Sequence, residues 1–520
     1  MSTQPVRVVE AAEPMSHREV LEALSGLLLS LFVAMLSSTI VATALPRIVA
    51  DLDGSESGYA WVIVASLLTT STTTPIWGKL ADLFSKKLLV QLALLVFVAG
   101  SVLAGLAPNM GFLIGARAVQ GVGVGGLVAL VQVVIATIVS PRERGRYSGY
   151  LGAVFAVATV SGPLIGGLIV DTPGLGWRWC FYVGIPVAAV ALVVLQKTLH
   201  VPTIKREVSI DYAGAALLIS GVSLLLIWVS LAGHQFDWAS PATAWMVTAS
   251  VLLLAGALYA EARAKEPIIP LRLFRDRTTS LATFSSVMVG VAMFAGTVFL
   301  SQYFQISRGM SPTAAGLMSL AMVGGLLFSS ITTGRLISRY GRWKPYIVAG
   351  AALTVVGSAL LGTIDDRTSI TLVGFYMALL GTGIGGMNQN LVVAVQNNTP
   401  MRDMGAASSL VSFFRTLGGS IGVSGLGAAL GSSVAGNVAA GLSGLGVELD
   451  GSGETTRSIP DMATLPGPVR EVFEHAYGVG TAHIFLLTTP FVVLALVAVL
   501  CIREVPLRTT IEHPDDGTSR

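Results

Sequence analysis

Fourteen long apolar runs constrain this chain more than any single motif does. A membrane helix needs about 20 mostly apolar residues. Runs of that kind occupy residues 24–45, 59–77, 88–106, 112–138, 148–170, 179–196, 212–232, 243–260, 279–303, 314–333, 345–363, 370–396, 404–430 and 480–502. In hydrocarbon every backbone N–H and C=O must be paired within its own segment, so the runs are expected to be helices. They also lack the period-2 alternation of a transmembrane strand. Of the 520 residues, 53% are hydrophobic and 12% charged, about half the charge fraction of an average soluble chain. The fold expected is an all-α integral membrane protein with 14 transmembrane helices.

Charge orients the spans. One set of connections carries Lys79, Lys86, Lys87, Arg142, Arg144, Arg146, Lys197, Lys205, Arg206, Arg263, Lys265, Arg272, Arg275, Arg277, Arg335, Arg339, Arg342, Lys344 and Arg402. The other carries Arg47, Arg178, Arg308, Arg367, Arg457 and Arg470. Nineteen against six makes the first set cytoplasmic by the positive-inside rule, and an even span count puts both termini there too. The N-terminus is charged and does not read as a cleavable signal peptide, so the first span is expected to serve as the targeting signal. Cys180 and Cys501 fall near opposite faces, which excludes a disulfide between them, and no Cys/His spacing suggests a metal. The net charge of +3 points to no nucleic-acid partner. The outer segment 431–479 reads as a flexible connection with a short helix near Val469–Tyr477, and the polar tail from Arg503 reads as disordered.

An internal repeat divides the chain. Gly78-Lys79-Leu80-Ala81-Asp82-Leu83-Phe84-Ser85-Lys86-Lys87 follows span 2, and Gly334-Arg335-Leu336-Ile337-Ser338-Arg339-Tyr340-Gly341-Arg342-Trp343-Lys344 follows span 10. Both begin Gly-basic-Leu, both end basic, and both make a tight cytoplasmic turn. Placing one in each of two six-helix bundles leaves two inserted helices between them. The expected plan is a cytoplasmic N-terminus (1–23), a first half (24–196), an insert (212–260), a second half (279–502) and a cytoplasmic tail (503–520). Parallel repeats of this kind are a transporter architecture.

At these motifs the chain resembles the major facilitator superfamily, in its fourteen-span drug:proton antiporter branch, over roughly residues 24–505. The first turn resembles the superfamily's Gly-x-Leu-Ala-Asp-x-x-Gly-Arg-Lys signature, with Ser85 where Gly is usual. Span 4 carries Arg117-Ala118-Val119-Gln120-Gly121-Val122-Gly123. In span 5, Gly162-Pro163-Leu164-Ile165-Gly166-Gly167 is similar to the exporters' antiporter motif, with Ala158 at an upstream glycine. Trp177-Arg178-Trp179, Phe181 and Pro186 resemble the approach to span 6, with Gly184 where Asn is common. Phe414-Arg415-Thr416-Leu417-Gly418-Gly419 is similar to a signature of the fourteen-span branch.

The resemblance makes the turn at Gly78, Asp82, Lys86 and Lys87 a gate, with Asp82 its key acid; Gly334, Arg339 and Arg342 hold the corresponding places in the second copy, where Ser338 replaces the acid. Arg117 and Arg415 lie within spans, where burying an arginine costs roughly 2.5–3.5 kcal/mol at mid-membrane. Arg117 either snorkels to the interface or, by resemblance, tunes a proton carrier or contacts substrate. Arg415 is either functional or a tie to backbone carbonyls. Gly162, Gly166 and Gly167 allow close helix approach and Pro163 a kink, as suits a moving interface. Asn388, with Gln389 and Asn390, either lines a cavity or holds helices together.

One departure stands out. Where the branch commonly has an acid in span 1, this chain reads Leu36-Ser37-Ser38-Thr39-Ile40-Val41-Ala42-Thr43-Ala44-Leu45-Pro46, and no other span as bounded above supplies Asp or Glu. Serine cannot carry a proton at working pH, so either Asp171 or an acid at the mouth of span 1 carries it, or coupling is weaker, or another gradient drives transport. Without a buried acid, and with Arg117 and Arg415 present, the substrate pathway through Ser37, Ser38, Thr39, Arg117, Gln120, Asp171, Asn388 and Arg415 favours neutral, amphipathic or weakly anionic compounds. The expectation is a secondary transporter in a bacterial plasma membrane, exporting small amphipathic compounds by proton antiport; the alternative is a carrier of an endogenous metabolite or lipid without coupling through span 1. No cofactor, nucleotide or metal is expected. A membrane enzyme lacks converging reactive groups, and a channel does not need two halves with a gate.

Overall fold

The computed structural model describes residues 17–52, 56–172, 174–199, 211–232, 236–310, 312–444 and 466–507. Among them the chain is helical, with no strand beyond an isolated bridge between Ala232 and Phe236. The helices are α1 (His17–Asp51), α2 (Glu56–Leu83), α3 (Lys86–Gly105), α4 (Met110–Ile138), α5 (Pro141–Asp171), the short α6 (Trp179–Tyr182) running into α7 (Gly184–Thr198), α8 (Tyr212–Leu231), α9 (Pro241–Arg263), α10 (Arg277–Gln302), α11 (Pro312–Tyr340), α12 (Lys344–Leu361), α13 (Ile370–Asn398), α14 (Met404–Gly444) and α15 (Gly467–Cys501). Among the described residues, thirteen helical spans are long and apolar enough to cross a membrane. The fourteenth is α2, whose apolar character is diluted by Thr69, Thr70, Ser71, Thr72, Thr73 and Thr74.

Several helices start where a side chain supplies the missing acceptor for the first-turn N–H groups. Asn109 accepts from Phe112 N (2.9 Å) before α4, Asp211 from Gly214 N (2.8 Å) before α8, Ser240 from Thr243 N (3.2 Å) before α9, and Asp276 from Thr279 N (2.8 Å) before α10. Outward-facing Leu88, Leu92 and Leu95 on α3, Leu168 on α5, Leu252 on α9 and Phe328 on α11 are exposed. Such a belt is at home only against lipid.

The buried core falls into two sets. Residues between Val20 and Leu199 form two adjoining clusters, and residues between Leu273 and Leu507 form a third. The pair α8 and α9 packs on itself through Leu218, Val222, Leu226 and Ala257 and meets Phe413 of α14. Turns 83–86, 139–141, 340–344 and 399–404 gather at one end with the start of α1 and the end of α15. We call this the basic end.

Three boundaries differ from the sequence reading. α14 continues to Gly444 and α15 begins at Gly467, so much of the outer segment is helical; residues 445–465 lie outside the described part. Residues 503–507 are irregular but anchored, where the sequence reading had disorder from Arg503. Glu504 accepts from Trp343 N (3.1 Å) and Lys344 N (3.3 Å), Val505 O from Trp343 Nε1 (2.9 Å) and Pro506 O from Asn397 Nδ2 (3.2 Å). A carboxylate on the first N–H groups of α12 anchors those residues; the remainder, from 508, is outside the described part. Finally, α9 runs three residues past its apolar run and so contains Glu261.

Candidate functional site

At the basic end, α2 of the first set meets the start of α14 of the second. Asp82 accepts from Gly405 N (2.7 Å, Oδ1) and Ala406 N (3.0 Å, Oδ2). The carboxylate thus caps a helix belonging to the other half. It satisfies N–H groups that have no partner within α14 and meets the positive end of that helix's dipole. The backbones touch because both positions are glycine: a Cβ on Gly78 would lie 2.7 Å from Gly405 O, and one on Gly405 would lie 2.6 Å from Asp82 Oδ1. Lys79, on the same turn, is buried and pairs with Glu266 Oε2 at 2.5 Å. Lys87 faces its own half, donating to Gln196 O (2.7 Å), and Lys86 is half-buried.

Further bonds join the halves toward the same end. Buried Arg144 donates to Gln396 Oε1 (3.2 Å), and Ser412 Oγ donates to Gln132 Oε1 (3.1 Å). The counterpart turn behaves differently. Gly334 is buried, Arg339 lies over the Tyr340 ring at 5.6 Å, and Arg342 pairs with Glu504 at 3.2 Å, a contact within its own half.

Within the first half, a polar network surrounds α1. Arg117 is 4% exposed. Its Nε donates to Val62 O (3.2 Å) and its Nη1 to Gln120 Oε1. Gln120 Nε2 donates in turn to Ser37 Oγ (3.1 Å) and Ser101 Oγ (2.7 Å). Arg117 therefore turns inward, and the snorkelling alternative is discarded. Ser37, at the position of the absent acid, is the far end of the arginine's own chain of bonds. Thr39 Oγ1 donates to Ala158 O (3.1 Å), while Ser38 reaches only the Ala34 carbonyl of its own helix (3.4 Å).

The span 5 glycines serve a different contact from the one expected. Gly162 packs on Thr39, and a Cβ on Gly166 would lie 3.1 Å from Ile40 O, so both seat α5 on α1 inside one half. Gly167 faces open space, with nothing within 4 Å of a Cβ, and has no close-packing role. The interface between halves uses Gly149 and Gly152, nearer the basic end, against Ile331 and Ser330 of α11. The side chains of Pro163 and Asp171 lie outside the described part.

In the second half the polar groups are less satisfied. Asn390 Nδ2 donates to Thr333 Oγ1 (3.1 Å) and Gly386 O (2.8 Å), so it holds helices together. Buried Asn388 Oδ1 and Arg415 Nη1 make no hydrogen bond among the described residues. That argues against Arg415 as a full tie to backbone carbonyls. Cys180 and Cys501 are free thiols.

Sequence reasoning missed Arg144, Gln132, Ser412, Gly405, Glu266 and Glu261, while Gln396 stood among the amides noted after Asn390. Arg144 counted there only as a loop charge. The others are ordinary polar or small residues whose partners are remote in sequence, and no local pattern marks them.

Residues 27–423 match the family described as the Major Facilitator Superfamily. An uncharacterized MFS-type transporter of Mycobacterium tuberculosis is 35% identical over 497 residues, covering 95% of this chain and 71% of that one. The multidrug transporter protein MdtP of Bacillus subtilis is 34% identical over 407 residues, 78% of this chain and 74% of the relative. The human organic anion transporter MFSD10 has the same fold, with a TM-score of 0.60 at 14% identity over 91% of this chain and 99% of that one. With two packed sets of helices, polar groups buried between helices and a family match over most of the bundle, the chain is a multi-pass membrane transporter and belongs to the Major Facilitator Superfamily.

Proposed function

We propose that this chain is an exporter of the fourteen-span drug-efflux branch, moving small amphipathic compounds out of a bacterial cell by alternating access coupled to protons. The basic end faces the cytoplasm in this reading, in keeping with the Lys and Arg bias of its connections. Residues 24–196 and 279–502 are the two rocking halves, 212–260 the insert, and 1–23 and 503–520 the cytoplasmic termini. The observation that carries the reading is the carboxylate of Asp82 seated on the first N–H groups of α14. A cap supplied by the other half can form and break as a unit, which is what a gate requires. Arg144–Gln396 and Ser412–Gln132 close the same end, so the halves are joined at the end that faces the cytoplasm in this reading.

Support for the substrate class comes from the cations. Arg117 and Arg415 are buried with no carboxylate partner among the described residues, so the interior favours neutral or weakly anionic amphipaths over permanent cations. A relative's name, multidrug transporter, agrees with a broad apolar range. The test is export from proteoliposomes under an imposed pH gradient, using neutral and cationic dyes. Acceleration by an inward proton gradient, with neutral dyes preferred, is expected. Indifference to the gradient removes antiport, and exclusive transport of permanent cations removes the substrate assignment.

A further inference from the structure

The inserted hairpin brings two acids together beside the gate. Asp211 immediately precedes α8 and Glu261 lies in the last turn of α9, so both sit at the basic end of the pair. Each has one oxygen satisfied by a backbone N–H: Asp211 Oδ1 accepts from Gly214 N (2.8 Å) and Glu261 Oε2 from Ile269 N (3.1 Å). The other two oxygens, Asp211 Oδ2 and Glu261 Oε1, are buried and have no hydrogen bond among the described residues. They converge on one spot. A Cβ on Gly214 would collide with Asp211 Oδ2 and lie 3.2 Å from Glu261 Oε1, so the space exists because residue 214 is glycine. Glu261 is 5% exposed.

Two bare carboxylate oxygens do not rest side by side in such a place, because each loses its water and repels the other. One proton between them resolves both problems: the protonated oxygen donates to the ionised one. We propose that Asp211 and Glu261 form a proton-binding pair on the inserted hairpin, and that its charge state sets the hold of Lys79 on the gate. The pair takes its proton from water at the basic end and returns it there, with a net charge of −1 when occupied and −2 when empty.

The charges that act on Glu261 are Asp211 and Lys79. Arg263 and Lys265 beside it are exposed, Arg263 lying over the Tyr259 ring at 4.4 Å. Helix α14 presents apolar Phe413, Phe414 and Leu417 to this region, and α2 presents Leu68 and Ile76 along with Lys79. With the proton present, Lys79 pairs with Glu266. On its release, the doubled negative charge draws Lys79 from Glu266 toward the pair. Lys79 is three residues before Asp82, so the shift disturbs the carboxylate capping α14. The hairpin thereby reports cytoplasmic proton availability to the gate, a task that Ser37 cannot perform. This inference rests on the gate reading of Asp82.

The test uses the full chain in nanodiscs, with Cys180 and Cys501 replaced by serine and paired spin labels at exposed Phe84 and Arg402. The label distance is expected to lengthen as pH rises, and Glu261→Gln to abolish that response. In infrared titration a carboxylic-acid carbonyl band is expected to disappear on alkalinisation and to be altered in both Glu261→Gln and Asp211→Asn. A band unchanged in both variants, or a pH response that survives Glu261→Gln, overturns the proposal. Asp82→Asn separates the two readings: if it lengthens the label distance while wild type ignores pH, the gate stands and the proton pair fails. If neither pH nor Asp82→Asn moves the labels, the gate reading fails and the inference with it.

Discussion

The two copies of the repeated turn differ at the acid among other positions, and the consequence of that one difference is mechanical. In the first, Asp82 reaches out of its own half and caps α14. In the second, Ser338 stands at the acid's place, and Arg342 turns back to Glu504 of the same half. The same loop shape therefore supplies a contact between halves on one side and a contact within a half on the other. A similar asymmetry runs through the interior. The first half's arginine is tied through Gln120 to Ser37 and Ser101; the second half's Arg415 has a buried Nη1 with no bond among the described residues. The first half's buried arginine is tied to its neighbours, and the second half's is tied less completely.

The comparison breaks most directly at the first turn. Hydrogen bonds to a charged group contribute roughly 1.5–3 kcal/mol each. Asp82→Asn keeps the shape but removes the charge, and initial export rates are expected to fall by at least about tenfold, the equivalent of about 1.4 kcal/mol. Gly78→Ala should do comparable damage, since its Cβ would lie 2.7 Å from Gly405 O. Measurement of dye efflux from proteoliposomes decides both. Near-wild-type rates would leave the contact structural only.

A second pair of variants contrasts the arginines. Arg117→Leu orphans Gln120 in a buried site, at a cost of about 1–3 kcal/mol, so both thermal stability and export should drop. Arg415→Leu removes a buried charge that is incompletely bonded, so stability should hold or rise while export is lost. Thermal unfolding in detergent read beside efflux separates them. Equal destabilisation by both would show that Arg415 is a structural tie after all.

Much of the fold was legible because hydrocarbon leaves few options. Apolar run length alone places the helices. α2 was read in the sequence as one of the apolar runs, at 59–77, despite its threonines. The contact between the halves was half legible: Asp82 sits in a local motif, but Gly405 and Ala406 contribute only backbone N–H groups, which leave no side-chain trace. Glu261 was lost to an end effect, one residue past the apolar run that bounded its helix. Ser37 was noticed as a departure, yet its bond to Gln120 depends on how α1, α3 and α4 cross. The span 5 glycines were read correctly as small but assigned to the wrong neighbour, because a small residue does not say which helix it admits.

Smaller effects are expected at the second turn. Ser338→Asp restores the repeat's acid near the start of α5, which packs along α11 through Gly149 and Gly152. If the turns remain equivalent, the new carboxylate meets the positive end of α5 and adds about 0.3–1 kcal/mol, seen as a higher unfolding temperature with slower export. A lower unfolding temperature would mean that the second turn has drifted out of register with its partner helix.

The smallest effect belongs to Glu504. Its carboxylate meets Trp343 N, Lys344 N and the exposed Arg342. Glu504→Gln retains an oxygen for the two N–H groups and loses only the charge. An ion pair whose arginine is this exposed contributes about 0–1 kcal/mol, so the unfolding temperature should fall slightly and more so at low salt. Export should be unchanged, because these bonds stay within one half and need not break as the halves rock. An export defect as large as that of Asp82→Asn would show that the tail's contact with the second turn also opens during transport, and the division of labour between the two turns would then have to be abandoned.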